Sequence, residues 1–128
     1  MKIEYFHPVE KERPVVLIYG NEPKNVETLK NVVHELAEGQ RERFAVHELP
    51  GFESVDGCQL FFSAGAYDRG LTLISPPRTF ELSIRPVWWD NIEGLLEPFC
   101  EPGSVGFNDL DYGFFSDIDL IISTDRGW

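Results

Sequence analysis

VVLIYGNEPKNVETLKNVVHELAEG, residues 15–39, is the stretch on which the class of fold turns. Val15 to Tyr19 is an unbroken β-branched and aromatic run, the pattern of a strand buried on both faces. Gly20 to Lys24 then breaks the chain with turn residues. Val26, Leu29, Val33 and Leu36 follow at spacings of three and four, with Val32 and Ala37 widening the apolar stripe. Lys30, Asn31, Glu35 and Glu38 fall mostly on the other side. The pattern predicts a helix capped by Asn25, with Glu27 in its first turn and Gly39 as its terminator. A buried strand followed by a one-faced helix implies a helix lying on a sheet.

The same logic extends in both directions. Ile3 to Phe6 reads as a short strand ended by His7-Pro8. Arg41 to Leu49 alternates, with Phe44 and Val46 on one face. Cys58–Gly65 and Gly70–Ser75 read as the two strands of a hairpin with Asp68 to Gly70 at its tip. Phe80, Leu82 and Ile84 alternate with Glu81, Ser83 and Arg85, which marks a strand with one wet face. A second helix is predicted from Val87 to Glu97, started by Pro86, weakened by Gly94 and stopped by Pro98. Asp117 to Thr124 is the final strand, with Asp117 and Asp119 expected on its solvent face. The order of elements predicts one α+β domain over residues 1–128. Its sheet should be mostly antiparallel, with roughly five to seven strands and two helices packed on it.

Composition narrows the function classes. An apolar fraction of 42% and an aromatic fraction of 13% belong to a folded chain. No apolar run approaches the roughly 20 residues of a membrane span. The opening MKIEYFHPVEKERP lacks the apolar core of an export signal, so a cytoplasmic location is expected. Cys58 and Cys100 are far apart and lack metal-site spacing, so free thiols in a reducing compartment are expected. Eleven basic residues against 22 acidic ones give a net charge of -11. That balance disfavours nucleic acid and anionic membranes and suits a basic protein partner.

Two acidic motifs invite chemistry. Gly103-Ser104, followed by Asp117-Ile118-Asp119 at the head of an apolar strand, resembles the signature of the nucleotidyltransferase superfamily of DNA polymerase β type. The resemblance implies that Gly103 and Ser104 grip a phosphate and that Asp117 and Asp119 hold Mg²⁺ for in-line phosphoryl transfer. The chain departs from that family where a third carboxylate would be needed on a later strand. Asp125 is the sole acid after Asp119, and Arg126 is the sole base after Arg85. Asp109 and Asp111 are similar to the start of a calcium loop, yet Tyr112 and Gly113 are out of register with it. His7, His34 and His47 show no helical metal spacing. No cofactor is therefore expected.

The remaining signal is a crowd of aromatics among carboxylates. Phe107, Tyr112, Phe114 and Phe115 surround Asp109 and Asp111. Adjacent Trp88 and Trp89 point about 100° apart on a helix. The expectation is a non-enzymatic binding protein, of inhibitor or immunity type, that covers a basic partner. Its predicted surface is Asp109, Asp111, Tyr112, Asp117 and Asp119 with Trp88 and Trp89. The competing expectations are a metal-dependent phosphoryl-transfer or hydrolytic enzyme using Asp117 and Asp119, and a homo-oligomeric subunit joined through a sheet edge.

Overall fold

The computed structural model describes residues 1–7, 13–111, 114 and 116–128. Nine strands and two α-helices appear among them, in the order β1 (Lys2–Phe6), β2 (Val15–Tyr19), α1 (Pro23–Ala37), β3 (Arg43–Ala45), β4 (Glu53–Ser54), β5 (Gln59–Ala64), β6 (Gly70–Ser75), β7 (Thr79–Ile84), α2 (Pro86–Leu96), β8 (Phe107–Asp109) and β9 (Asp119–Ser123). The strands form two sheets, ordered β4-β1-β2-β9-β8 and β3-β5-β7-β6. The fold is therefore α+β with two helices, as expected, but its strands divide between two mixed sheets instead of one mostly antiparallel sheet.

Parallel pairs account for the difference. β2 runs parallel to β9 with Val15 opposite Asp119, β1 runs parallel to β4, and β5 runs parallel to β7. The expected β5–β6 hairpin does not form, because β7 lies between those strands. Five residues, 65–69, join β5 to β6 across the end of β7. Two strand spacings of about 4.8 Å are within reach of such a segment. The crossing is tight at Gly65, where an added Cβ would sit 2.9 Å from Ser83 Oγ. Asp68 then anchors it, accepting the Arg85 backbone N–H at 2.9 Å and the Trp88 indole N–H at 3.1 Å.

The helices follow the sequence pattern with one shift. α1 buries Val26, Leu29, Val33 and Leu36, and begins at Pro23 with Glu22 as its cap instead of Asn25. A proline at the first helical position loses no intrahelical bond, so the helix starts as early as Pro23 permits. Its far end closes on Gly39 at φ +75°, with Gly39 N–H donating to Leu36 and Gln40 N–H donating to Glu35. These two bonds satisfy the last carbonyls in a Schellman arrangement. α2 starts at Pro86, as predicted, and buries Trp89, Ile92 and Leu96.

One continuous core joins both helices to both sheets. It includes Ile3, Val16 and Ile18 of the first sheet and Leu60, Phe62, Phe80 and Leu82 of the second. Tyr5 meets Phe80 across the sheets at 4.8 Å. The other face of the first sheet buries Val15, Leu17 and Ile121 with Phe6 and Tyr19 packed against them. Trp128 packs edge-on against Phe6 at 5.3 Å. β9 thus lies between β2 and β8 with both faces covered, and its Leu120 to Ser123 are all buried. Among the described residues no helix is long and apolar enough to cross a membrane.

Candidate functional site

The connection between β8 and β9 carries most of the predicted surface. β8 and β9 are antiparallel, with Asp109 opposite Ile121, so the chain leaves and returns at one place. Asp111 N–H donates to Asp109 Oδ1 at 3.2 Å, and Asp111 Oδ1 accepts the Leu120 N–H at 3.0 Å. Leu110 N–H donates to the Leu120 carbonyl at 2.8 Å. These bonds fold Asp111 inward until it is only 4% exposed. One carboxylate oxygen from each of Asp109, Asp111 and Asp119 then lies within 4.8 Å of the others.

Three carboxylates this close cannot all stay charged without compensation. Burial, reinforced by the neighbouring Asp109, pushes the Asp111 carboxyl up to about 8, and the Leu120 N–H only partly opposes it. At neutral pH Asp111 therefore mostly keeps its proton. Arg13 supplies the other compensation. Its guanidinium pairs with Asp119 Oδ1 at 3.1 Å and donates to the Ser116 carbonyl. A proton on Asp111 and a guanidinium on Asp119 compensate two of the three carboxylates from within the chain.

Asp117 does not join this group. It is exposed, ahead of β9 rather than in it, while Asp119 is half-buried and turned toward Arg13. The expectation that both aspartates share a solvent face is corrected. The alternation required for it begins only at Asp119, and β9 is an interior strand with no wet face. Gly103 is exposed, and Ser104 donates its hydroxyl to the Pro98 carbonyl at 2.6 Å.

The two tryptophans separate as helical geometry requires. Trp88 is 39% exposed, whereas Trp89 is fully buried. Trp89 packs on Phe62 at 4.8 Å and donates its indole N–H to the Ser63 carbonyl at 3.0 Å. Trp89 is thus a core residue and leaves the predicted surface, and so does the buried Asp111. Tyr112 lies outside the described residues, as do Gly113 and Phe115.

Trp88 remains, and the structure brings it to the loop. Phe114 stands edge-on to Trp88 at 5.6 Å. Ser116 Oγ donates to the Leu71 carbonyl of β6 at 2.6 Å and accepts the Ile118 N–H at 3.2 Å. A groove of about 310 Å³ lies alongside, between Leu71, Thr72 and Leu73 on one wall and Ser116, Asp117 and Ile118 on the other. Leu73, Ile74, Val87 and Tyr67 are also exposed. Arg13, Leu71 and Ser116 are the members that the sequence did not single out. Each meets the site through contacts between residues about 45 or more positions apart, and no local pattern encodes those.

Other features of the molecule are already satisfied. A groove of about 460 Å³ is lined by Met1, Tyr19, Glu22 and Phe52, and the Met1 ammonium in it pairs with Glu22 and the Gly51 carbonyl. His47 Nδ1 accepts the Leu60 N–H at 3.0 Å. His34 pairs with Glu93 at 2.8 Å, which raises its pKa. Burial pushes the Cys58 thiol up to about 12, so it is a poor nucleophile. No family model matches the chain, and neither a curated protein nor a solved structure matches it significantly.

Proposed function

We propose that this chain is a cytoplasmic, non-enzymatic binding protein whose acidic surface covers a basic partner protein, in the manner of an inhibitor or immunity-type protein. The observation that carries this reading is the groove lined by the exposed Leu73 and the exposed Asp117, with the exposed Trp88 held edge-on to Phe114 in the same loop, two residues before Ser116. An aromatic anchor beside a carboxylate is the composition of a hot spot for a partner rich in Lys or Arg. The charge distribution supports it. Arg13, Lys30, Arg41, Arg43, Arg85 and Arg126 each pair with a carboxylate of the same chain. Most of the positive charge is therefore quenched internally, and the surplus of acid is left to steer a partner.

The metal-enzyme alternative required Asp117 and Asp119 on one ion. Asp119 instead converges with Asp109 and Asp111, and its charge is already met by Arg13. The test is capture at low salt with the tagged full chain in its native host, followed by calorimetry on the purified partner. A basic partner is expected, with affinity falling about tenfold or more between about 50 and 200 mM salt and again on Asp117→Lys. A partner without a basic surface, or an affinity indifferent to both changes, would overturn the reading.

A further inference from the structure

We propose that β6 is the docking edge of this protein, and that an extended basic segment of the partner adds to it as a further strand of the second sheet. The inference rests on the binding reading above and specifies its mode.

β6 ends its sheet, and among the described residues no strand pairs with its outer side. The direction of its free groups can be read from one bond. Ser116 Oγ donates to the Leu71 carbonyl from outside the sheet, so Leu71 turns its backbone polar groups away from β7. In an antiparallel strand those groups alternate by residue, so Leu73 presents its N–H and carbonyl outward as well. Natural edge strands usually block such a row with charge, proline or a covering segment. β6 reads GLTLIS, without charge or proline, its Leu73 and Ile74 are each 45% exposed, and its regular register runs as far as Leu73, where a bulge before Ser75 interrupts it. Among the described residues, Ser116 covers the Leu71 carbonyl, which leaves the outward groups of Leu73 as the open part of the edge.

The groove beside β6 gives the occupant its chemistry. A strand joining the edge at Leu73 would lie beside the groove that Asp117 and Ile118 line. Alternate side chains of such a segment would meet the carboxylate and the apolar wall in turn. Charge complementarity selects a basic segment. It also argues against a second copy, because twofold pairing of β6 with itself would bring two Asp117 carboxylates together between molecules that each carry -11.

The test uses the full chain and three peptides at low salt: acetyl-Lys-Val-Lys-Val-Lys-Val-amide, the same peptide N-methylated at every other backbone nitrogen, and its Glu-Val counterpart. Binding is read by calorimetry and by hydrogen exchange at the Leu73 amide. The first peptide should bind at one per chain and slow exchange at Leu73. N-methylation, the Glu-Val exchange and Leu73→Pro should each weaken it by about tenfold or more, and Asp117→Asn by a few-fold. Leu73→Pro removes a donor that faces away from β7, so the sheet should survive it. The N-methylated peptide asks the same question without altering the protein. If the two Lys-Val peptides bind within about twofold of each other, the edge is not used and only the acidic-surface reading survives. If none binds, yet the captured basic partner binds wild type and Leu73→Pro alike, the edge is again overturned alone. A dimer in sedimentation that dissociates on Leu73→Pro would assign the edge to a second copy. Failure of both the peptides and the basic-partner capture would overturn the edge and the proposed function together.

Discussion

Between pH 5 and 7 the fold should lose stability through a single proton on Asp111. Its folded carboxyl titrates at about 8, raised by burial and by Asp109. The same group in an unfolded chain titrates near 3.9. Across the interval between these values the folded state binds a proton that the unfolded state has released. Unfolding free energy therefore falls as pH rises, by about 1.4 kcal/mol per pH unit for one full proton. Two pH units correspond to about 3 kcal/mol, and the loss should end once pH passes the folded value. Asp111→Asn isolates this contribution. An amide oxygen still accepts the Leu120 N–H, and an amide N–H still faces Asp109, so the loop keeps its bonds while losing the titration. Urea unfolding of both proteins from pH 5 to 9 is the assay, and the difference between the two curves cancels groups such as His34 that titrate in both. The variant should gain on wild type steadily up to pH 8. Parallel curves would refute the claim that Asp111 is held protonated.

Three further outcomes follow from packing. Trp89→Ala should cost about 3–5 kcal/mol by chemical denaturation, because it empties a fully buried site and removes the indole bond to the Ser63 carbonyl. Gly65→Ala should cost about 1 kcal/mol, and Ser83→Ala in the same chain should restore most of it by removing the clashing oxygen. Cys58 should resist a disulfide reagent at pH 8 in the folded protein and react fully once the chain is unfolded.

The parts of this fold that were readable in advance are those set by neighbours in sequence. Val26, Leu29, Val33 and Leu36 mark α1 because helical periodicity is local, and Phe80, Leu82 and Ile84 mark β7 for the same reason. Strand pairing is not local. Nothing between Cys58 and Ser75 announces that a later strand will intervene between β5 and β6, although Gly65 is the residue that lets the chain cross. The parallel registers of β2 with β9 and of β5 with β7 are likewise set by the common core, which only the assembled chain possesses.

The candidate site shows why charge composition and charged surface differ. Asp109, Asp111 and Asp119 looked like part of one exposed acidic face because each is polar in a turn-rich stretch. The Leu120 N–H draws Asp111 inward, and Arg13, more than a hundred positions away from Asp119, reaches it from the other end of the chain. Once a proton and a guanidinium are assigned to that group, its field falls to that of a single carboxylate. The negative potential that a partner would meet at the β6 groove then depends on Asp117, which has no ion-pair partner among the described residues. Asp117→Asn should therefore change association more than Asp119→Asn. The opposite order, measured as association rates at low salt, would place the partner on the carboxylate cluster instead.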